Sequence, residues 1–87
     1  MTHPYTKGKS YLIRTVTHYY VGRLVEVYQA ELVLTNVSWV ADTGRYSDAL
    51  RLGTLKEVEP LPGSVIIGRG GIIEVAEWNH SLPATPG

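Results

Sequence analysis

VIIGRGGIIEVAEW, residues 65–78, places two apolar runs on either side of Gly68-Arg69-Gly70-Gly71. For these glycines to cradle a phosphate, a helix must come after them, so that its free N–H groups face the anion. The chain continues instead with Ile72-Ile73-Glu74-Val75, a β-branched run that reads as a strand. The lysine of a P-loop and the second spaced glycine pair are also missing. The stretch therefore predicts two strands, 64–68 and 71–78, joined as a hairpin around Arg69-Gly70. The glycines would supply positive φ at the turn.

Upstream, the same strand pattern recurs. SYLIRTVT (10–17), YYVGRLVEVY (19–28) and AELVLTNVSWV (30–40) are rich in β-branched and aromatic residues. Their close spacing predicts antiparallel neighbours, with tight turns near His18 and Tyr28-Gln29. DTGRYSDALRL (42–52) breaks the pattern, because Tyr46, Ala49 and Leu50 fall at helical spacing. Asp42 or Thr43 is the expected N-cap, and Gly53 closes the helix. TLKEVE (54–59) can add a short strand before the turn Pro60-Leu61-Pro62-Gly63. Five main strands with a short helical insertion predict a mainly β fold, a small bent barrel over residues 10–78. Residues 1–9 and 79–87 are polar, carry Pro and lack periodicity, and read as flexible tails.

With 87 residues and no cysteine, the chain has a thin core and no disulfide to staple it. His3, His18 and His80 are scattered, which argues against a metal site, and no cofactor motif is present. Self-association is the remaining staple. No apolar run reaches membrane-spanning length and the first ten residues lack a signal-type core, so an intracellular, cytoplasmic protein with no membrane partner is expected. Formal net charge is zero, yet residues 1–23 carry Lys7, Lys9, Arg14 and Arg23 without an acid. Non-specific nucleic-acid binding draws on a basic surplus that this chain lacks.

Several residues carry chemistry with more than one reading. Arg69, in its glycine setting, can hold phosphate and stack on a base, or form a salt bridge to Glu74 or a neighbouring copy's Glu31. Thr43 and Arg45 open the helix and either bind an anion there or serve only its start. Tyr46 is a core anchor or a stacking platform. His18 and Tyr20 sit at a strand junction, facing a ligand or packing in the sheet, with Arg14 nearby. Trp39 and Trp78 are expected in the core or an interface. No nucleophile elbow, cysteine nucleophile or spaced acid–base pair supports catalysis, and no catalytic residue is assigned.

Gly22-x-Leu24 with Leu32-Val33-Leu34 and Val37 resembles the first half of the Sm-like motif. Val65 to Ile73 resembles its second half, usually built on Ile-Arg-Gly. The resemblance covers residues 11–37 and 64–76 and implies a five-stranded barrel whose copies pair edge strands into a closed ring, a hexamer or near it. It also implies that Arg69 lies at the pore beside a bound base. Sm-like RNA binders hold the base with Asp and Asn in the loop that here reads Tyr28-Gln29-Ala30-Glu31, and a carboxylate at Glu31 disfavours RNA. The pattern IRTVTH…GRLVEV…LVL…W.ADTGR also resembles small uncharacterised proteins of phages and their bacterial hosts. Phages carry compact oligomers that sequester nucleotide-derived immune signals, and the size of this chain and its Arg, Tyr and His content are compatible with that role.

The leading expectation is a non-enzymatic ring that sequesters a small nucleotide-derived ligand through Arg69, Arg45, Tyr20, His18, Arg14, Thr43 and Tyr46. An RNA-binding ring and a structural or assembly protein without a ligand are the alternatives.

Overall fold

The computed structural model describes residues 4–84; the outermost residues of both expected tails, 1–3 and 85–87, lie outside them. The order of elements is β1 (Ser10–Thr15), β2 (Tyr19–Val27), β3 (Glu31–Asp42), α1 (Tyr46–Leu52), β4 (Glu57–Pro60), β5 (Val65–Gly68), a 3₁₀ turn (Arg69–Gly71) and β6 (Ile72–Glu77). The fold is mainly β with the short helical insertion that the spacing predicts. β4 joins the five main strands as the short addition, making a six-stranded antiparallel sheet in the order β4-β3-β2-β1-β6, with β5 also on β3.

β3 explains the bend. Twelve residues long, it pairs with β2 along one side. On its other side Glu31–Leu34 meets β5, while β4 takes Ser38 to Asp42. Between these halves Asn36 adopts φ 51°, and the β2–β3 register shifts between Val21 and Arg23. Such an irregularity bends a strand and increases its twist.

Gly22 lies at that shift and is buried, and a Cβ there would stand 2.9 Å from Val37 Cγ2. The glycine is needed for close approach of the two strands.

The opening stretch is not a hairpin. β5 pairs with β3 and β6 pairs with β1, so the two strands lie on opposite sides of the β1–β2–β3 core and do not pair with each other. Only the three-residue turn Arg69–Gly71 joins them. The sheet must curl to bring its sides that close, although it does not close into a barrel. None of the glycines at 68, 70 and 71 has positive φ, because a 3₁₀ corner uses right-handed dihedrals that any residue adopts.

Both faces of the sheet are covered at β1, which is why β1 reads as a near-continuous apolar run. Tyr11 and Ile13 join Leu24, Leu32, Leu34, Val37 and Ile67 in an inner core. Leu12 joins Val21, Val40, Ala49 and Trp78 in an outer core, roofed by α1 and the segment after β6.

α1 starts two to three residues later than an N-cap at Thr43 or Asp42 would place it. Its N-cap is Arg45, with no side-chain cap bond. Asp42 is occupied accepting the Gly44 N–H at 2.8 Å, and the Thr43 hydroxyl donates to the Gly44 carbonyl at 2.9 Å. Gly44, at φ 69°, turns the chain before the helix can begin. At the other end Gly53, at φ 75°, donates its N–H to the Ala49 carbonyl. A second helix-end carbonyl, Leu50 O, lies 2.8 Å from His80 Nε2, which donates to it from the segment after β6.

The described parts of both expected tails contact the domain. Gly8 N–H donates to Leu24 O, Tyr5 packs edge-on to Tyr11, and Leu82 packs on the outer core. Among the described residues no helix is long and apolar enough to cross a membrane.

Among the described residues two buried side-chain atoms have no hydrogen-bond partner, His18 Nε2 and the Ser38 hydroxyl. Ser38 is fully buried in β3 and its hydroxyl makes no hydrogen bond. A buried, unpaired hydroxyl is unfavourable, so Ser38→Ala is expected to raise stability by about 1 kcal/mol. That corresponds to a Tm higher by roughly 4–8 °C in thermal unfolding monitored by circular dichroism. A lower Tm would mean that the hydroxyl has a partner after all.

Candidate ligand-binding surface

Arg69 is the most constrained of the seven candidate residues. The 3₁₀ corner sets its backbone, and its N–H donates to Ala30 O at 2.9 Å. Its guanidinium Nη1 donates to the carbonyls of Tyr28 at 2.8 Å and Gln29 at 3.3 Å, in the loop between β2 and β3. The guanidinium carbon lies 5.4 Å from the centre of the Tyr5 ring, within cation–π range. Among the described residues no carboxylate pairs with it, so neither Glu74 nor Glu31 satisfies it within the chain.

Beside Arg69 opens a cleft of about 520 Å³. Tyr5, Tyr11 and Ile72 line it together with Glu74 and Glu77. Both carboxylates are engaged, Glu74 by Arg14 at 2.9 Å and Glu77 by Lys9 at 3.6 Å.

His18 and Tyr20 come together at the β1–β2 turn, with ring centres 4.6 Å apart. Trp39 completes the group at 5.3 Å from His18, because the register sets Tyr20 opposite Trp39. Trp39 is 37% exposed and is a member of this cluster that the sequence reading assigned to core or interface. The expected turn at Tyr28-Gln29 contained the signal, since pairing outward from it sets β2 against β3 and Tyr20 opposite Trp39. His18 Nδ1 lies 2.7 Å from Thr17 Oγ1, and Nε2 is buried without a partner.

Arg14 and Tyr46 form a third group with Tyr19 and Glu74. The Tyr19 and Tyr46 rings are 5.7 Å apart. Burial pushes the Tyr46 phenol above its ordinary value, Glu74 and Tyr19 add to this, and Arg14 opposes it. Tyr46 therefore stays a hydrogen-bond donor at neutral pH. The Arg14 guanidinium is held above its usual value chiefly by its hydrogen bond to Glu74. Thr43 is buried and Arg45 exposed in the loop before α1.

The seven residues thus fall into separate places. His18 meets Tyr20, and Arg14 meets Tyr46. Arg69 shares its cleft with Glu74, the partner of Arg14. No hydrogen bond, ion pair or ring contact among the described residues joins Arg69 to His18, Tyr20, Thr43 or Arg45. Tyr5, placed by sequence in a flexible tail, is the aromatic surface under Arg69. Among the described residues there is no group of three His, Asp or Glu able to hold a metal.

No family model, no curated protein and no solved structure matches the chain.

Proposed function

We propose that this protein is a non-enzymatic binding module that assembles with copies of itself into a ring, near a hexamer, and retains a small nucleotide-derived ligand at Arg69. The observation that carries the reading is the Arg69 guanidinium itself. It is anchored on one edge by two carbonyls, laid over Tyr5, and paired with no carboxylate among the described residues. A planar fork held in that way suits a phosphate, and the ring beside it suits a base.

Assembly draws support from the sheet edges. Among the described residues β5 and β6 each pair on one side only, and Ile66 and Ile73 on them are 65% and 55% exposed. Open edges of this kind invite pairing with another copy. Binding rather than catalysis is favoured because the carboxylates of the Arg69 cleft are held in ion pairs. The resemblance to small phage and bacterial proteins gives retention a context, the capture of a nucleotide-derived immune signal during infection. Contact of Arg69 with the 28–31 loop favours a second reading, a single-stranded RNA ring of Sm-like type, which exposed Glu31 opposes.

Native mass spectrometry before and after incubation with a nucleotide extract tests this directly. The expected result is a ring mass that gains a few hundred daltons per site. Arg69→Ala should lose at least about tenfold in retention, the scale of a charge-assisted hydrogen bond to phosphate, with the ring intact. A monomer, or unchanged retention by Arg69→Ala, refutes the proposal. Oligo-RNA binding that falls steeply with salt would support the RNA ring instead.

A further inference from the structure

On the outer face of the sheet, away from Arg69, a second cleft of about 530 Å³ lies between the segment 80–84 and the strands β1, β2 and β3. One wall is apolar, made by Pro60, Leu61, Leu82 and Pro83. The polar side chains around it are Ser10, Arg23, Asn36, His80 and Ser81.

The register accounts for the grouping. Ser10 pairs with Arg23 across β1–β2, on the same face as Leu12 and Val21 of the outer core. Asn36, in its left-handed conformation at the β3 bend, flanks them. Trp78 brings the last segment over this face, through its N–H to Ser10 O and its indole N–H to Ser81 O.

Two features separate this cleft from the one beside Arg69. First, no aspartate or glutamate lines it. Second, the side chains of Ser10, Arg23, Asn36 and Ser81 have no hydrogen-bond or ion-pair partner among the described residues. Only His80 is engaged, by Leu50 O. A guanidinium, two hydroxyls and a carboxamide are therefore free to donate around one space, with no negative charge to oppose an anion.

We propose that this cleft is a binding site for a small organic phosphate monoester. The phosphate, with three terminal oxygens, uses more of these donors than a carboxylate with two. Arg23 provides the fork that phosphate geometry favours. The organic part lies against Leu61 and Leu82. A cleft of this volume falls in the range of small-ligand sites, and the segment 80–84 walls one side. The site stands independently of the Arg69 reading, since the two share no lining residue.

The test is a titration of the isotope-labelled full chain with phenyl phosphate, monitored by amide chemical shifts, with phenol as the uncharged control. Expected are shifts centred on Ser10, Arg23, Asn36 and Leu82, and no response to phenol at the same concentrations. Arg23→Gln should weaken phenyl phosphate by roughly tenfold or more while the spectrum stays folded, and Arg69→Ala should leave the affinity unchanged. Shifts confined to residues 28–31 and 68–71, abolished in Arg69→Ala, would overturn this site while leaving the proposed function standing. Equal binding of phenol, no binding at millimolar concentration, or full affinity in Arg23→Gln would each overturn it too.

Discussion

Gly53→Ala is expected to lower the unfolding free energy by about 3 kcal/mol, combining left-handed strain with overpacking. The strain arises because Gly53 holds φ 75° as the left-handed cap of α1. The overpacking arises because a Cβ there would stand 2.6 Å from His80 Cγ and 2.8 Å from His80 Cβ. His80 cannot simply rotate away without losing its bond to Leu50 O and its edge-on contact with the buried Trp78. A double-mutant cycle with His80→Gly, which removes both the Cβ and the ring that press on residue 53, separates the two causes. In that background the clash is relieved, and Gly53→Ala should cost only the backbone strain, about 1 kcal/mol. Chemical denaturation of the four proteins measures it. Equal cost in both backgrounds would show that His80 does not press on Gly53.

The same pair shows where sequence reading stops. Gly53 as the end of a helix is local information: the i, i+3, i+4 spacing of Tyr46, Ala49 and Leu50 precedes it, and the structure has Gly53 as the cap. That the cap also receives a histidine from residue 80 is not local, and nothing near either position indicates the other. Strand pairing divides in the same way. β1 to β3 were legible because tight turns force neighbours to pair. β5 and β6 were misjudged because glycines next to one another look like a hairpin turn, whereas their partners, β3 and β1, lie far back in the chain. The site was legible in part for the same reason. Arg69 stood out as a charge among glycines, but Tyr5 beneath it belonged to an aperiodic stretch, and Trp39 beside His18 depended on a cross-strand register.

Zero net charge also hides a local imbalance that only the fold exposes. Of eight Lys and Arg residues, Lys7, Lys9, Arg14 and Arg51 make ion pairs with Glu26, Glu77, Glu74 and Asp48. These pairs are exposed and add little stability. Their consequence is that the remaining cations, Arg23, Arg45, Lys56 and Arg69, have no carboxylate partner among the described residues. Two of them line clefts, Arg69 and Arg23, and both of those clefts are large enough for a small molecule. Composition excludes a uniformly basic surface, but it cannot exclude isolated arginines whose acidic counterparts are occupied elsewhere.

Gly22→Ala against Gly70→Ala is the sharpest comparison of a glycine the fold needs with one it does not. A Cβ at Gly22 would lie 2.9 Å from Val37 Cγ2 and 3.2 Å from both Thr35 O and Val37 Cα. The methyl group could move, but the two backbone contacts belong to β3 just beside its bend at Asn36, so relief requires shifting the strand itself. The expected loss is about 2 kcal/mol, within the usual range for overpacking a tight core. At roughly 4–8 °C per kcal/mol, thermal unfolding will register it clearly in a domain this small. Gly70 has no atom within 4 Å of such a Cβ and no positive φ. Gly70→Ala should therefore leave Tm unchanged or slightly higher, because alanine restricts the unfolded chain more than glycine does. A large loss at Gly70 would mean that the 65–78 stretch turns as a tight hairpin after all. A negligible loss at Gly22 would mean that β2 and β3 do not approach closely at the bend, and the curl of the sheet would need another cause.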